Sequence, residues 1–350
     1  MLSRFLLTSV LLPLALCSSH TQAQTVAGAA VAPGWQPEVQ EIQIRSTADQ
    51  SEQPALTWSP AEKEARPLLV GLHTWSGNYK QAANGRVYAQ WCMQQGWHFV
   101  YPNFRGPNST PAAMGSDLAV QDVVDAVEHL KKTRAVDTSR IYLVGVSGGG
   151  HMAMLMAGRH PEIWAGVSAW CGISDISAWH VEHLKNGRPD NYARNIEAAL
   201  GGAPTGPQLA EAQKRSPLTH LARAKAVPLD IHHGIHDGRT GSVPFRHSLL
   251  AFNQVAEEPL SPPEILAYYD SQQRPASWAE PEADPAFSPR PLHFRKVSGQ
   301  VRVTLFEGGH EILYTPALNW LAQQRQSQPA VWTVPQLIPV AADADTKSGL

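Results

Sequence analysis

The chain has 350 residues, a formal net charge of −2 at neutral pH, and hydrophobic residues at 43% of its positions. Such a balanced charge excludes the strongly basic surface that favours nucleic acids or anionic membranes. The hydrophobic content is enough for a large buried core. We therefore expect a globular protein without a nucleic-acid partner.

The first 23 residues are typical of a secretory signal peptide. Arg4 supplies a positive start, residues 5–16 are mostly apolar, and residues 21–23 resemble a cleavage site. The apolar run is too short to span a bilayer, and no later segment is long and uncharged enough to do so. A lipoprotein signal ending at Cys17 fits less well, because Leu16 stands where a small residue is expected. The sequence thus predicts a secreted or periplasmic protein without membrane insertion.

After a lead-in over residues 24–38, strand patterns alternate with helix patterns. Alternating or continuous apolar runs predict strands at 39–46, 53–58, 67–72, 98–101, 141–146, 164–169, 229–233 and 301–306. Apolar residues at helical spacing predict helices at about 87–95, 118–131, 149–158, 245–255 and 315–324. This alternation predicts one α/β domain over residues 39–324, with a mostly parallel central sheet and helices on both faces.

Three segments do not follow the alternation. Residues 172–225 are mixed and partly helical, and residues 257–291 are rich in proline. We interpret both as insertions, and a long irregular insertion in a compact enzyme is usually a lid, a binding loop or disordered. Residues 325–350 have the composition of a polar C-terminal tail with one short apolar patch.

Cys92 and Cys171 remain after removal of the predicted signal peptide. An oxidising compartment permits a disulfide, but sequence alone does not bring the two Cα atoms within bonding range. A disulfide and two separate buried thiols therefore both stay open.

A nucleophile motif follows the strand predicted at 141–146. It reads Gly145-Val146-Ser147-Gly148-Gly149, and a helical pattern comes directly after it. A serine hydroxyl needs an exposed turn beside a base to act as a nucleophile, and the glycines let strand and helix approach around that turn. A glycine-rich phosphate loop is the alternative, but no Gly-Lys-Ser/Thr follows. We predict Ser147 as the nucleophile.

An acid and a base follow in the order that this motif requires, which is serine, acid, histidine. His310 lies in a glycine-containing loop after the last predicted strand, and Asp237 follows the strand at 229–233. We predict His310 as the general base and Asp237 as the acid that accepts its ring proton. Asp230 is a rival, but it lies inside the strand.

The cluster of His232, His233, His236 and Asp237 also has the residue types of a zinc site. Adjacent strand residues point to opposite faces, however, and the sequence offers no evident fourth ligand. We therefore predict no metal and no cofactor.

Acyl transfer also needs hydrogen-bond donors for the oxyanion of its tetrahedral intermediate. The backbone N–H of Gly148, at the start of the predicted elbow helix, is one predicted donor. The other should come from the loop after the strand at 67–72, where the N–H of Trp75 is the first choice and that of Thr74 the second.

Together these segments resemble the catalytic domain of the prolyl-oligopeptidase-type branch of α/β hydrolases, over residues 66–256 and 293–324. The stretch Tyr-Pro-Asn-Phe-Arg-Gly at 101–106 is similar to a family segment, as is Ser-Pro-Leu at 216–218. The resemblance implies the α/β-hydrolase fold, with Ser147, Asp237 and His310 at the triad positions. The oxyanion loop departs from the family's His-Gly-Gly, and the short lead-in leaves no room for the β-propeller of the peptidases.

These features predict an esterase that acts on a small-molecule or polysaccharide ester through an acyl-enzyme. Trp75, Trp170 and Trp179 follow predicted strands and could stack on sugar rings or feruloyl groups, unless they fill the core as most aromatics do. A serine peptidase and a catalytically silent binding protein are the alternatives. The sequence leaves the oligomeric state open.

Overall fold

The computed structural model describes residues 33–340, so the predicted signal peptide lies outside the described residues. The strands, in chain order, are β1 (Gln40–Arg45), β2 (Glu52–Trp58), β3 (Arg66–Leu72), β4 (His98–Pro102), β5 (Val136–Val146), β6 (Gly166–Trp170), β7 (Leu184–Lys185), β8 (Arg188–Pro189), β9 (Leu229–Gly234), β10 (Leu292–Ser298) and β11 (Val301–Phe306). The helices are α1 (Ala82–Gln95), α2 (Asp117–Thr133), α3 (Gly148–Arg159), α4 (Ile176–Glu182), α5 (Asn191–Leu200), α6 (Pro207–Lys214), α7 (Arg246–Val255), α8 (Pro262–Ser271) and α9 (Tyr314–Gln323).

Nine of these strands form one sheet in the order β1-β2-β4-β3-β5-β6-β9-β11-β10, while β7 and β8 pair separately. The six strands from β4 to β11 in this order are parallel to their neighbours. Antiparallel strands flank them, with β1 and β2 at one edge and β10 at the other. The predicted fold class, a mostly parallel sheet in an α/β domain, is confirmed.

Helices cover both faces of the sheet because the side chains of its central strands are apolar on both faces. In β3, Leu68 and Val70 pack with α2 and α3, whereas Leu69 between them packs with α1 and α9 on the opposite face. This period of two, with both sets of side chains buried, is typical of parallel strands between two helical layers. It explains why these strands appear as continuous apolar runs in the sequence.

Helix α2 illustrates how local signals set the limits of an element. The Ser116 hydroxyl caps its first turn by accepting the N–H of Ala119, and Asp117 follows in that turn. Lys131 and Lys132 lie in its last turn, where cations are favourable to the helix dipole. The predicted helix at 118–131 therefore lies within the observed one.

Two elements depart from the predictions. The proline-rich insertion contains helix α8, which begins with prolines and buries Ile265 and Tyr268. Proline is tolerated in the first turn of a helix, so this insertion is not irregular throughout. Strand β10 was not predicted at all, because it is a half-exposed edge strand whose His293, Arg295 and Lys296 break the apolar pattern.

The first part of the predicted polar tail also packs against the domain. Trp332 stacks on Trp320 of α9 with ring centroids 5.6 Å apart. The Asn319 side chain bonds both the carbonyl and the N–H of Ile338. Residues 325–340 thus cover α9, while residues 341–350 lie outside the described part of the chain.

The parallel strands β3, β5, β9 and β11 end at the same edge of the sheet. Their following loops carry, in that order, Trp75, Ser147, Asp237 and His310. Helices α4 to α6 cover this edge with a small core of their own, to which Trp75 and Trp179 belong. Within residues 33–340, no helix is long and apolar enough to cross a membrane.

Candidate active site

Ser147 lies on a sharp turn between β5 and α3. Its backbone is in a region unusual for a residue with a side chain, at φ 61° and ψ −122°. Its N–H is held by the carbonyl of Trp170 at 2.9 Å, and its own carbonyl accepts the N–H of His151 at 2.8 Å. Strain of this kind collects at functional sites and persists only where the surroundings enforce it. The geometry is that of the nucleophile elbow.

The elbow makes very close contact with the loop after β3. A Cβ atom added to Gly148 would lie 2.5 Å from both the N and the Cα of Trp75. Glycine is therefore required here by the approach of another backbone. Within the described residues, neither the Gly148 nor the Trp75 N–H donates to a turn or loop carbonyl. The two N–H groups predicted to bind the oxyanion thus belong to touching segments.

His310 and Asp237 form a direct hydrogen bond. Nδ1 of His310 lies 2.6 Å from Oδ2 of Asp237, a short hydrogen bond of the kind that a carboxylate acceptor strengthens. Because Nδ1 is engaged, Nε2 is the ring nitrogen left to exchange a proton with a hydroxyl. Nε2 lies 3.5 Å from the Ser242 hydroxyl.

Asp237 is fully buried and yet well supplied with donors. Its Oδ1 accepts the N–H groups of Gly238 and Val243, at 2.9 and 3.1 Å. Its Oδ2 accepts from His310 and also from His233 at 2.9 Å. Burial alone would raise the pKa of Asp237, but the hydrogen bonds from the two histidines outweigh it and hold the pKa well below its usual value. The carboxylate therefore stays ionised.

A cavity of about 400 Å³ contains the side chains of both Ser147 and His310. The other lining residues carry hydroxyl, amide, aromatic, aliphatic and carboxylate groups and are Thr74, Trp75, Ser76, Asn84, Val146, Tyr192, Glu311, Ile312 and Tyr314. Among the described residues that line it, Glu311 is the one carboxylate, and no lysine or arginine is present. Arg290 neutralises Glu311 through two hydrogen bonds of 2.7 and 2.9 Å.

Of the three tryptophans considered for stacking on a substrate, Trp170 and Trp179 fill the core, which is the alternative that the sequence left open, while Trp75 lines the cavity. Trp170 and Trp179 are completely buried, and Trp75 is only 2% exposed. Trp75 packs edge-on against Trp179 at 4.6 Å, and Trp170 stacks on His232 at 3.9 Å. Insertion helices cover Trp75 and Trp179, whereas Trp170 is buried in the core on the face of the sheet that α1 and α9 cover. The aromatic residue that lines the cavity from this insertion is Tyr192.

The histidines of the predicted acid loop serve different parts of the structure. His233 bonds Ser248 and Asp237, whereas His232 points to the opposite face and lies against Trp170. His236 bonds Glu307 at the surface. The rival acid, Asp230, is buried in a pair with Arg302, away from His310.

Cys171 lies beside the acid and the base. It forms with Asp237 and His310 a group whose ligand-type atoms fall within 4.8 Å of one another. Burial raises the pKa of the Cys171 thiol well above its usual value, and the S–H contacts the Glu311 carbonyl at 3.4 Å. A protonated thiol and a carboxylate with four donors are poor metal ligands, so this group does not suit a metal. Cys92 and Cys171 are separate free thiols.

Three residues support this site in ways that sequence reasoning did not predict, since His233 was considered only as a zinc ligand, Trp179 only for stacking, and Ser242 not at all. His233 stands four residues before Asp237, which is a signal that the sequence could have offered. Trp179 and Ser242 carried no such signal, because their roles depend on a contact between distant segments. The Trp179 indole donates to the Ser242 carbonyl at 2.8 Å.

The strand order, the elbow and the cavity together define an α/β hydrolase of the serine hydrolase class. The sequence model of the prolyl oligopeptidase family matches residues 85–272, which is more than half of the chain. The chain belongs to the prolyl oligopeptidase family. The matched residues include Ser147 and Asp237 and end before His310.

Similar proteins include both esterases and peptidases. The chain is 24% identical to feruloyl esterase B of Thermothelomyces thermophilus over 117 residues, covering 31% of this chain and 40% of that protein. It is 23% identical to acylamino-acid-releasing enzyme 1 of Oryza sativa over 185 residues, covering 48% of this chain and 23% of that one. The matches thus span less than half the length of these relatives.

A solved structure supports the fold. A puromycin-hydrolyzing peptidase of Mycobacterium tuberculosis superposes with a TM-score of 0.50 at 16% identity. The superposition covers 78% of this chain and 36% of the peptidase. At this identity the likeness concerns the fold alone.

Proposed function

We propose that this protein is a carboxylic ester hydrolase that acts through Ser147, His310 and Asp237. His310 takes the hydroxyl proton of Ser147 as the oxygen attacks the ester carbonyl, and the N–H groups of Gly148 and Trp75 stabilise the oxyanion. The protonated His310 then gives its proton to the leaving alcohol, which leaves an acyl-enzyme. Water then attacks the acyl carbonyl while His310 takes its proton, and His310 returns that proton to the oxygen of Ser147 as the carboxylic acid leaves.

The observation that carries this proposal is the shared cavity of Ser147 and His310 beside the Trp75 loop. It supports acyl transfer because a nucleophile and a base with an oriented ring line one space, next to the contact between Gly148 and the Trp75 loop. The 2.6 Å bond to Asp237 is the feature that would orient the base.

The chemistry of the cavity supports an uncharged substrate with both apolar and polar groups. Aromatic and aliphatic side chains line it together with hydroxyl and amide groups, and its carboxylate is neutralised by Arg290. An ester of a sugar hydroxyl or of a phenolic acid suits these groups, whereas a substrate ammonium group would find no free acid among the described lining residues. The likeness to a feruloyl esterase favours the same class of substrate. We also propose that the N-terminal segment directs export.

Active-site labelling tests the proposal directly. A fluorophosphonate probe should modify the wild-type protein at Ser147, and Ser147→Ala should lose both the label and about 10⁴- to 10⁶-fold in kcat. The substrates should be p-nitrophenyl acetate, methyl ferulate and acetylated xylan, compared with aminoacyl- and N-acylaminoacyl-nitroanilides. The proposal requires a higher kcat/KM for the esters.

Two other outcomes would contradict the proposed esterase function and favour a different one. A higher kcat/KM for the nitroanilides would make the protein a peptidase, the function suggested by its likeness to the acylamino-acid-releasing enzyme. Absence of labelling at Ser147 in folded protein would make it a binding protein on a hydrolase scaffold.

A further inference from the structure

A second histidine contacts the carboxylate that holds His310. His233 is fully buried near the end of β9. Its Nε2 lies 2.9 Å from Oδ2 of Asp237 and 2.9 Å from the carbonyl oxygen of Val243. Its Nδ1 lies 2.7 Å from the hydroxyl of Ser248 on α7. Both ring nitrogens therefore have close partners.

These hydrogen-bond partners determine which ring nitrogen of His233 carries the hydrogen. An ionised carboxylate and a carbonyl can only accept, so Nε2 of His233 must be the donor to Asp237 and Val243. The Ser248 hydroxyl can donate to Nδ1, which makes the Nε2–H tautomer fully satisfied when the ring is neutral. Ser248 thus fixes the ring from one side while Asp237 receives its hydrogen bond on the other.

One oxygen of Asp237 is shared between the two histidines. Oδ2 accepts from His233 and from Nδ1 of His310, while Oδ1 is occupied by two backbone N–H groups. With all its directions filled, the carboxylate cannot rotate about its own bond without losing donors. The donor from His233 also disperses the negative charge that Asp237 presents to His310.

Resting on the proposed function, we propose that His233 is a positioning residue of the catalytic triad. Its Nε2–H fixes Oδ2 of Asp237, which keeps His310 in the tautomer with hydrogen on Nδ1. It also limits how strongly the carboxylate stabilises the protonated ring of His310. Ser248 holds His233 in the orientation that this requires.

Other titratable groups also face the acid–base pair. Cys171 lies next to Asp237 and His310, Tyr269 of α8 acts on Asp237 electrostatically, and Glu311 of the histidine loop is paired with Arg290. These groups remain unchanged in variants of His233. A shift in pH dependence caused by such variants is therefore attributable to the lost donor.

The test compares His233→Leu, which removes the donor, with His233→Gln, whose amide N–H can still reach Asp237. The readout is kcat/KM for p-nitrophenyl acetate against pH, with kcat expressed per fluorophosphonate-labelled site. For His233→Leu we expect a loss of roughly ten- to a hundredfold in kcat, the range usual for residues that orient a site ligand. Its acidic limb should move up by about one pH unit, because the carboxylate then stabilises protonated His310 more strongly. His233→Gln should keep the wild-type limb.

His98→Leu is the matched control, since His98 is a buried histidine of β4 outside the site. It should lower stability without moving the acidic limb. If His233→Leu does not fold, Ser248→Ala provides the second test, with a smaller shift in the same direction. An unmoved limb in the folded variant, or His233→Gln behaving like His233→Leu, overturns the inference. Wild-type protein without labelling at Ser147 would instead overturn the proposed function beneath it.

Discussion

The indole nitrogen of Trp179 donates to the backbone carbonyl of Ser242 at 2.8 Å. Trp179 belongs to insertion helix α4, and Ser242 to the loop that follows the predicted acid. The same indole packs edge-on against Trp75, whose ring centroid lies 4.6 Å away, and it also contacts the rings of His183 and Tyr192. A single buried side chain thus joins the predicted oxyanion loop to the loop beside His310, where the Ser242 hydroxyl lies 3.5 Å from Nε2.

Trp179→Phe should separate the two contacts. Phenylalanine keeps an aromatic ring against Trp75 but removes the donor to Ser242. We expect the free energy of unfolding to fall, because one buried hydrogen bond is lost. The loss should be limited to about 1 kcal/mol, because His183 still bonds the Ser242 carbonyl. We also expect kcat for the ester substrate to fall several-fold with little change in KM, since the change affects positioning. Denaturant unfolding and steady-state kinetics measure the two effects.

The matched control for this substitution is Trp91→Phe. Trp91 is equally buried, and its indole nitrogen has no hydrogen-bond partner among the described residues. It lies in α1, outside the cavity. If Trp179→Phe and Trp91→Phe have the same kcat, the bond between Trp179 and Ser242 has no role in catalysis.

Gly148→Ala should damage the predicted oxyanion site. The new methyl group would lie 2.5 Å from the nitrogen of Trp75, a distance that forces the two loops apart. Since loss of one oxyanion donor costs about 10²- to 10³-fold in kcat, we expect a reduction of at least about 10²-fold. Fluorophosphonate labelling should slow in parallel, because it passes through a similar oxyanion.

Gly96→Ala controls for the general effect of replacing a glycine. Gly96 ends α1 in a left-handed conformation at φ 64°, and a Cβ there would meet nothing within 4 Å. It should lower stability by about 1 kcal/mol and leave kcat unchanged. A Gly148→Ala protein with wild-type kcat would remove Gly148 and Trp75 from the oxyanion site.

Asp237→Asn and Asp230→Asn should have opposite effects, although both aspartates are fully buried in the same part of the chain. Asp237→Asn should reduce kcat by about 10⁴-fold while the protein remains folded, because the amide favours the wrong tautomer of His310. Asp230→Asn weakens a buried pair in which Arg302 donates at 2.9 and 2.5 Å. It should cost about 3–5 kcal/mol in stability and leave kcat per labelled site unchanged. The reverse pattern would make Asp230 the acid.

The central strands were predicted well because the signal for them, a continuous apolar run, is local in the sequence. A strand that is buried on both faces must be apolar throughout, so β11 was predicted at its observed bounds, residues 301–306. The edge strand β10 escaped prediction because one side of it meets solvent and carries charge. Helix α8 escaped because its opening prolines, which are permitted in a first turn, resemble those of a loop.

Some features of the candidate site could likewise be predicted from local patterns, and others could not. Chain order and the position after a strand were enough to propose Ser147, Asp237 and His310, since parallel strands bring such loops to one edge. Sequence reasoning left the burial of Trp170 and Trp179 open. For Trp179 it depends on how insertion helices cover that edge, and for Trp170 on packing against Phe287 and Phe306 from later segments of the chain. The hydrogen bond from His233 to Asp237 could not be predicted, because it depends on the exact backbone path of the loop after β9. No pattern of residue types determines that path.

Buried histidines should make the protein less stable in mild acid. Burial lowers the pKa of His151 to about 4, although its Nε2 bonds the carbonyl of Arg215 at 2.8 Å. Because this pKa is depressed in the folded state, stability is fully present above the unfolded value of about 6.5 and is lost as the pH falls towards 4. Between those values the unfolded chain binds a proton at this position that the folded protein does not.

His151→Gln isolates this contribution, because glutamine can still donate to the Arg215 carbonyl but does not titrate. The free energy of unfolding should be measured by denaturant titration at pH 7.5 and pH 4.5 for both proteins. Between these conditions the wild type should lose about 2.5 kcal/mol more than the variant, on the basis of about 1.4 kcal/mol for each pH unit below the unfolded pKa. Other buried histidines contribute equally to both proteins, so they cancel in the difference. Equal losses in the two proteins would mean that His151 is protonated in the folded state as readily as in the unfolded chain.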